Sequence, residues 1–257
     1  MANKLLDEAR VERDKMTEPI ILFLKTRSLY TQNDGIFTQE FHEGKTWLMY
    51  RIASDESTDA EVGKFTFQGQ YPIFFSKAEL PKPKKERNHP DLGLKEVELN
   101  LGIGDKVIGL YRNIIKEICG EGENEFDYGS LSKFDAANVL TLSERIYYIG
   151  QKVAQGKINE IGGLPYLEPH AIKSKIVCAD IEERVINTAV ATAERHLLPN
   201  HESMRKFFRG IIDLTVEVEL DYITKVGEKN LKDNACPAGF GQVASVSATN
   251  ARGWGSA

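Results

Sequence analysis

Ser203-Met204-Arg205-Lys206-Phe207-Phe208-Arg209-Gly210-Ile211-Ile212-Asp213-Leu214-Thr215-Val216-Glu217-Val218-Glu219-Leu220-Asp221-Tyr222-Ile223-Thr224-Lys225-Val226 reads as one long helix. Phe207, Phe208, Ile211, Leu214, Val218 and Tyr222 recur at helical spacing and form its apolar side, and Gly227 follows as a stop. Thr215 and Glu219 stand four residues apart in this element, so they share a face about one turn apart. A hydroxyl and a carboxyl on a helix otherwise suited to packing are candidate site residues.

The pattern repeats outward from this segment. A helix is predicted from Asp105, a good N-cap, through Val107, Leu110, Tyr111, Ile114, Ile115 and Ile118 to a stop at Gly120. Ser132 with Asp135 resembles a capping box and is expected to open a long helix through Ala136, Leu140, Ile146, Ile149 and Val153 toward Ile158, carrying Arg145 and Lys157. Gly162-Gly163-Leu164-Pro165 breaks it, and a further helix is expected over 180–197, with Glu182 in its first turn and Pro199 beyond its end. Near the start, Leu6, Ala9, Met16, Ile20, Phe23 and Leu24 mark a helical stripe over 3–31, in which Pro19 implies either a bend or two helices. Residues 32–101, punctuated by glycines and prolines, read as loops and short helices. The expected fold is all-α: a single-domain multi-helix bundle over 1–227, followed by a disordered Gly/Ala/Ser-rich tail over 228–257.

Composition narrows the function classes. In 257 residues, a 41% hydrophobic content supports a packed core, while 28% charged residues of both signs and a net charge of -5 argue against a nucleic-acid surface. No apolar run reaches the roughly 18 residues of a membrane span, and Met1-Ala2-Asn3-Lys4-Leu5-Leu6-Asp7-Glu8 lacks the apolar core of a signal peptide. With Cys119, Cys178 and Cys236 widely spaced and odd in number, a cytoplasmic protein with reduced thiols is expected. His42, His89, His170, His196 and His201 show no metal spacing, so no metal is expected, and Gly102-Ile103-Gly104 lacks the rest of a dinucleotide fingerprint. Lys82, Lys84, Lys85 and Arg87 read as a solvated loop.

The stretches Ala9-Arg10 with Met16 to Ser28, Phe126 to Ile146, Ile181-Glu182-Glu183-Arg184, and Thr215 to Glu219 with Tyr222 resemble, in this order, the all-helical chorismate mutases of the longer eukaryotic-type branch. The resemblance covers about the first 227 residues. It implies rearrangement of chorismate, a small dianion, to prephenate in phenylalanine and tyrosine biosynthesis, with no cofactor and in a homodimer. It also implies roles. Arg10 and Arg145 would clamp the two carboxylates, with Thr215 adding a hydroxyl, while Lys157 and a protonated Glu219 would donate to the ether oxygen. Glu182 would accept from the ring hydroxyl, and Cys178 and Ile212 would complete the substrate-binding set. The chemistry agrees: arginine's planar fork suits a carboxylate, and the lysine point charge suits an oxygen gaining negative charge.

Two departures from the family pattern bear on activity. The family's arginine and lysine on the long helix are eleven residues apart, close to three full turns, whereas Arg145 and Lys157 are twelve apart. A bulge near Gly150-Gln151 is expected to absorb the extra residue. Cys178 stands where the family has asparagine or aspartate, four residues before the glutamate. The branch also carries an effector site for aromatic amino acids, built from a Gly-Ser turn before the long helix and an arginine pair. Gly129-Ser130 matches the turn, but no adjacent arginines occur in residues 45–80, so control by tyrosine or tryptophan is not expected.

Each residue also has a plain reading. A lone arginine or glutamate on a helix is usually a solvated surface group, and Glu182 and Glu183 would complement a helix dipole as first-turn charges. The competing function is a chorismate mutase-like binding or effector protein that has lost catalysis. Retention of Arg10, Arg145, Glu182, Thr215 and Glu219 favours the enzyme, because buried charges cost stability without a task.

Overall fold

The computed structural model describes residues 2–99 and 101–235, so the expected tail from 236 onward lies outside the described residues. Among them the helices are, in chain order, α1 (Ala2–Arg27), α2 (Gly35–Thr38), α3 (Trp47–Glu61), α4 (Gly104–Ile118), α5 (Tyr128–Glu160), α6 (Pro169–Ile176), α7 (Ala179–Arg195) and α8 (His201–Ala235). A short antiparallel hairpin, β1 (Glu40–His42) and β2 (Lys45–Thr46), precedes α3. The fold is the expected all-α bundle. No helix among the described residues is long and apolar enough to cross a membrane.

The spine is α5, with α1 and α8 packed along it, α3 and α4 against other faces, and α7 bridging α8 and α1. Ile21 and Leu24 of α1, Val139, Leu142 and Ile146 of α5, and Ile211, Val218 and Tyr222 of α8 are buried in one cluster. Each such side chain contributes about 1.5–3 kcal/mol by leaving water. The α1–α5 register is pinned by a fully buried Arg27, whose Nε donates to Asp135 Oδ1 at 2.9 Å. Its Nη1 and Nη2 donate to the Thr31 and Gln32 carbonyls, each at 2.7 Å. Tyr111 of α4 donates to the same Asp135 oxygen at 2.7 Å. Closer to the N-terminus, α1 and α5 meet where Leu6 lies on Gly156, so closely that a Cβ there would stand 2.6 Å from Leu6 Cδ2.

Several boundaries differ from the sequence expectation for identifiable reasons. α1 passes through Pro19 as one helix, with the proline on an exposed position. α4 begins at Gly104, so Asp105 lies in its first turn instead of capping it. Ser132 and Asp135 are not a capping box: α5 starts at Tyr128, and both are buried inside it, Asp135 serving Arg27. Within 32–101, α3 is a full 15-residue helix instead of a short one. Gly227 is not a stop, because α8 continues to Ala235 and the expected boundary at 227 falls inside it. That glycine serves close approach: a Cβ would lie 2.0 Å from the Pro165 carbonyl oxygen.

Candidate active site

A cavity of about 390 Å³ opens between α1, α5, α7 and α8. α1 contributes Leu6, Asp7, Arg10 and Arg13; α5 contributes Arg145, Ile149, Val153 and Lys157; and α8 contributes Ile212, Thr215, Val216 and Glu219. Lys175 and Ile176 from the end of α6, and Cys178, Ile181, Glu182 and Val185 at the start of α7, complete most of the wall. Thus Arg10, Arg145, Lys157, Glu219, Glu182, Thr215, Cys178 and Ile212 all reach one cavity.

The expected bulge in α5 is absent, since the helix is uninterrupted over Tyr128–Glu160. Lys157 arrives by another route. Arg145, Ile149, Val153 and Lys157 follow at intervals of four, the inclined i+4 ridge of an α-helix. Each step turns the ridge by about 40°, so twelve residues carry it about 120° around the axis while it climbs about 18 Å. Arg145 therefore faces α1 and Lys157 faces α6 and α8, and the cavity follows the ridge between them.

Arg145 is 2% exposed, yet among the described residues no carboxylate lies within ion-pair distance of it. Among the described residues its side chain has one hydrogen bond, from Nε to the Thr17 hydroxyl at 3.2 Å. Burial, joined by the charge of Arg13 and opposed by Asp14, pushes its pKa down to about 10, which still leaves it cationic at neutral pH. Arg27, equally buried, has a carboxylate and two carbonyls. A buried cation without a counter-charge is costly, so Arg145 marks a place suited to an anion.

Where α5 faces α8, the Lys157 ammonium lies 2.6 Å from Glu219 Oε2 and donates to the Ile176 carbonyl at 2.8 Å. Glu219 is buried, and desolvation raises its pKa above the ordinary carboxylate value; Lys157 opposes this and the negative charge of Glu182 adds to it. The Thr215 hydroxyl donates back to the Ile211 carbonyl at 2.7 Å, a bond it must give up to donate to a ligand. Glu182 Oε2 accepts from Arg209 Nη1 at 2.9 Å. Glu183 is turned to Arg205 and Arg209 on α8, an inter-helix role. Arg10 stands at the open edge, 54% exposed and 2.7 Å from Asp7.

Cys178 precedes α7 as its N-cap without a side-chain capping bond, exposed on the cavity rim. Gly129 and Ser130 lie in the first turn of α5 and are exposed, so they form no turn ahead of the helix and do not line this cavity. Two arginines escaped the sequence reading. Arg13 was legible as the residue three after Arg10 on the same helical face. Arg209 meets Glu182 only across two helices and has no local signal.

No protein-family model matches the chain, and no curated protein matches it in sequence. Solved structures do resemble it. Chorismate mutase Aro7p from Candida albicans, in complex with L-Trp, superposes with a TM-score of 0.75 at 19% identity, covering 91% of this chain and 97% of that one. The chloroplast chorismate mutase from Zea mays gives 0.73 at 20% identity, covering 87% and 95%. AtCM1 with tyrosine bound in its allosteric site gives 0.69 at 20% identity, covering 85% and 94%. The chain has the fold of these chorismate mutases over nearly their whole length.

Proposed function

We propose that the chain is a chorismate mutase, converting chorismate to prephenate by an intramolecular Claisen rearrangement. The observation that carries this reading is the convergence of a buried, uncompensated Arg145 with a Lys157–Glu219 pair on one cavity of a chorismate mutase fold. A dianion with an ether oxygen between its carboxylates is the ligand whose charges this arrangement complements.

The rearrangement needs no nucleophile. It needs the compact chair-like conformer held in place and donors at the ether oxygen, which gains negative charge as its C–O bond breaks. Arg145 receives one carboxylate, with Thr215 turning its hydroxyl toward the ligand, and Arg10 closes on the other from the open edge. Lys157 supplies a fixed positive charge at the ether oxygen. Glu219 Oε2 is already engaged by Lys157, so in the protonated acid Oε1 carries the hydrogen and donates it beside the ammonium. Glu182, steadied by Arg209, accepts from the ring hydroxyl. Cys178 and Ile212 are wall residues of the substrate pocket.

The physiological setting follows as part of the same proposal: a cytosolic homodimer serving phenylalanine and tyrosine biosynthesis, with the helices through the end of α8 as the catalytic unit. Free Cys119 and Cys178 suit a reducing compartment. A catalytically retired relative is disfavoured because Lys157, despite its altered spacing, still lines the cavity. The deciding experiment incubates purified protein with chorismate and follows loss of chorismate absorbance and appearance of prephenate. Loss no faster than without protein leaves only the binding reading.

A further inference from the structure

Leu6, Arg10, Arg13 and Thr17 succeed one another at spacings of four, three and four, the row of a single helix face. The first three line the cavity, and Thr17 accepts from Arg145. Arg13 therefore lies between Arg10 at the edge and Arg145 in the interior. Its side chain is 20% exposed, and its Nε and Nη2 both turn to one oxygen of Asp14, at 2.9 and 2.8 Å. Among the described residues its Nη1 has no protein acceptor. Asp14 itself is mostly exposed, so that pair is screened and leaves much of the Arg13 charge acting on the cavity.

Two neighbouring guanidinium groups, one from α1 and one from α5, the inner one without a carboxylate, repel each other in the unliganded protein. A carboxylate placed between them removes that repulsion and pairs both. We propose that Arg13 is a second ligand-binding arginine of this cavity: its Nη1 and the Arg145 guanidinium share one carboxylate of the bound dianion. The inference rests on the function proposed above and deepens it, because it assigns which end of the substrate is read by two cations. An ester or amide at that end is then rejected more strongly than one arginine would achieve, since each guanidinium loses a charge-assisted bond.

The test compares Arg13→Gln and Arg13→Lys with Lys15→Gln, which removes a charge from the same helix outside this cavity. Chorismate kcat and KM, and the Kd of prephenate by calorimetry, are measured over a range of salt concentrations. Arg13→Gln is expected to raise both KM and Kd roughly tenfold, the scale of one charge-assisted bond, and to flatten their salt dependence. Arg13→Lys should restore part of the loss, and Lys15→Gln should leave both within twofold of wild type. An Arg13→Gln protein with KM and Kd within twofold of wild type, or a Lys15→Gln protein equally impaired, overturns the role of Arg13 while leaving the activity standing. If wild type binds prephenate but does not turn over chorismate, the function reading fails and the Arg13→Gln Kd still decides this one. Wild-type protein that does neither overturns both.

Discussion

The same substitution at Arg27 and Arg145, both deeply buried, is expected to lower stability at the first and not at the second. Arg27→Met removes the partner of Asp135, whose side chain is fully buried and whose pKa burial already raises against the pull of Arg27. It also strands the Thr31 and Gln32 carbonyls. Breaking a buried pair from one side costs about 3–5 kcal/mol, on the order of 10 °C in Tm for a chain of this size. Arg145→Met removes a cation whose one side-chain partner among the described residues is the Thr17 hydroxyl, and that hydroxyl keeps its own bond to the Arg13 carbonyl at 2.7 Å. Methionine fills much of the same volume without a desolvation cost, so stability should be unchanged or rise by about 1 kcal/mol. Activity should fall a hundredfold or more, roughly, as a carboxylate loses its inner arginine. Urea and thermal unfolding of both variants, with chorismate turnover alongside, reads all of this. If Arg145→Met loses as much stability as Arg27→Met, the claim that Arg145 is held for a ligand, and not for the fold, is wrong.

Lys157→Ala should lower kcat by about 10² to 10³, the usual loss for one donor at a charge-bearing oxygen; initial rates within threefold of wild type would refute its role. The rate should fall as pH rises through the Glu219 titration, because the acid, whose pKa burial raises, is the donor and its anion is not. Glu219→Gln should flatten that limb in a pH–rate profile, and an unchanged profile would count against the assignment. In Lys157→Ala the residual limb should move to higher pH, since the ammonium holds the Glu219 pKa down. The unfolded chain loses the Glu219 proton before the folded one does, so this group's stabilising contribution is lost as pH rises through its folded value, a trend that unfolding midpoints at several pH values will check. Added tyrosine or tryptophan should leave the rate unchanged, given the lack of adjacent arginines in residues 45–80; a shifted rate curve would disprove this.

What was legible in the sequence is what local periodicity encodes. The apolar stripes of α1, α4, α5 and α8 announced those helices, breaker residues on either side announced α7, and with the family resemblance they carried eight cavity residues. Two failures share one cause, a polar residue whose partner is far away in the chain. In α3, Glu56 interrupts the apolar face formed by Leu48, Ile52, Ala53 and Ala60. It is buried because its carboxylate accepts from the backbone N–H groups of Ile73, Phe74 and Phe75. Asp135 likewise imitated a cap while serving Arg27. Gly227 imitated a terminator because a glycine needed for contact with Pro165 looks the same in sequence as one needed for left-handed backbone. The α5 bulge was an error of geometry: a shared face was required, when a cavity that winds with the ridge accepts residues a third of a turn apart.

Gly156 touches no part of the proposed reaction, yet it decides where the Leu6 side chain sits in the cavity wall. Leu6 rests on its bare backbone, and Arg10 follows one turn later on the same helix. A methyl group at position 156 would stand 2.6 Å from Leu6 Cδ2 and 2.7 Å from its Cγ, so the Leu6 side chain, which lines the cavity, would have to turn to another position. The shape of the pocket thus depends in part on a missing side chain across from Leu6, and selection for a bulkier or smaller guest could act there without altering a single charge.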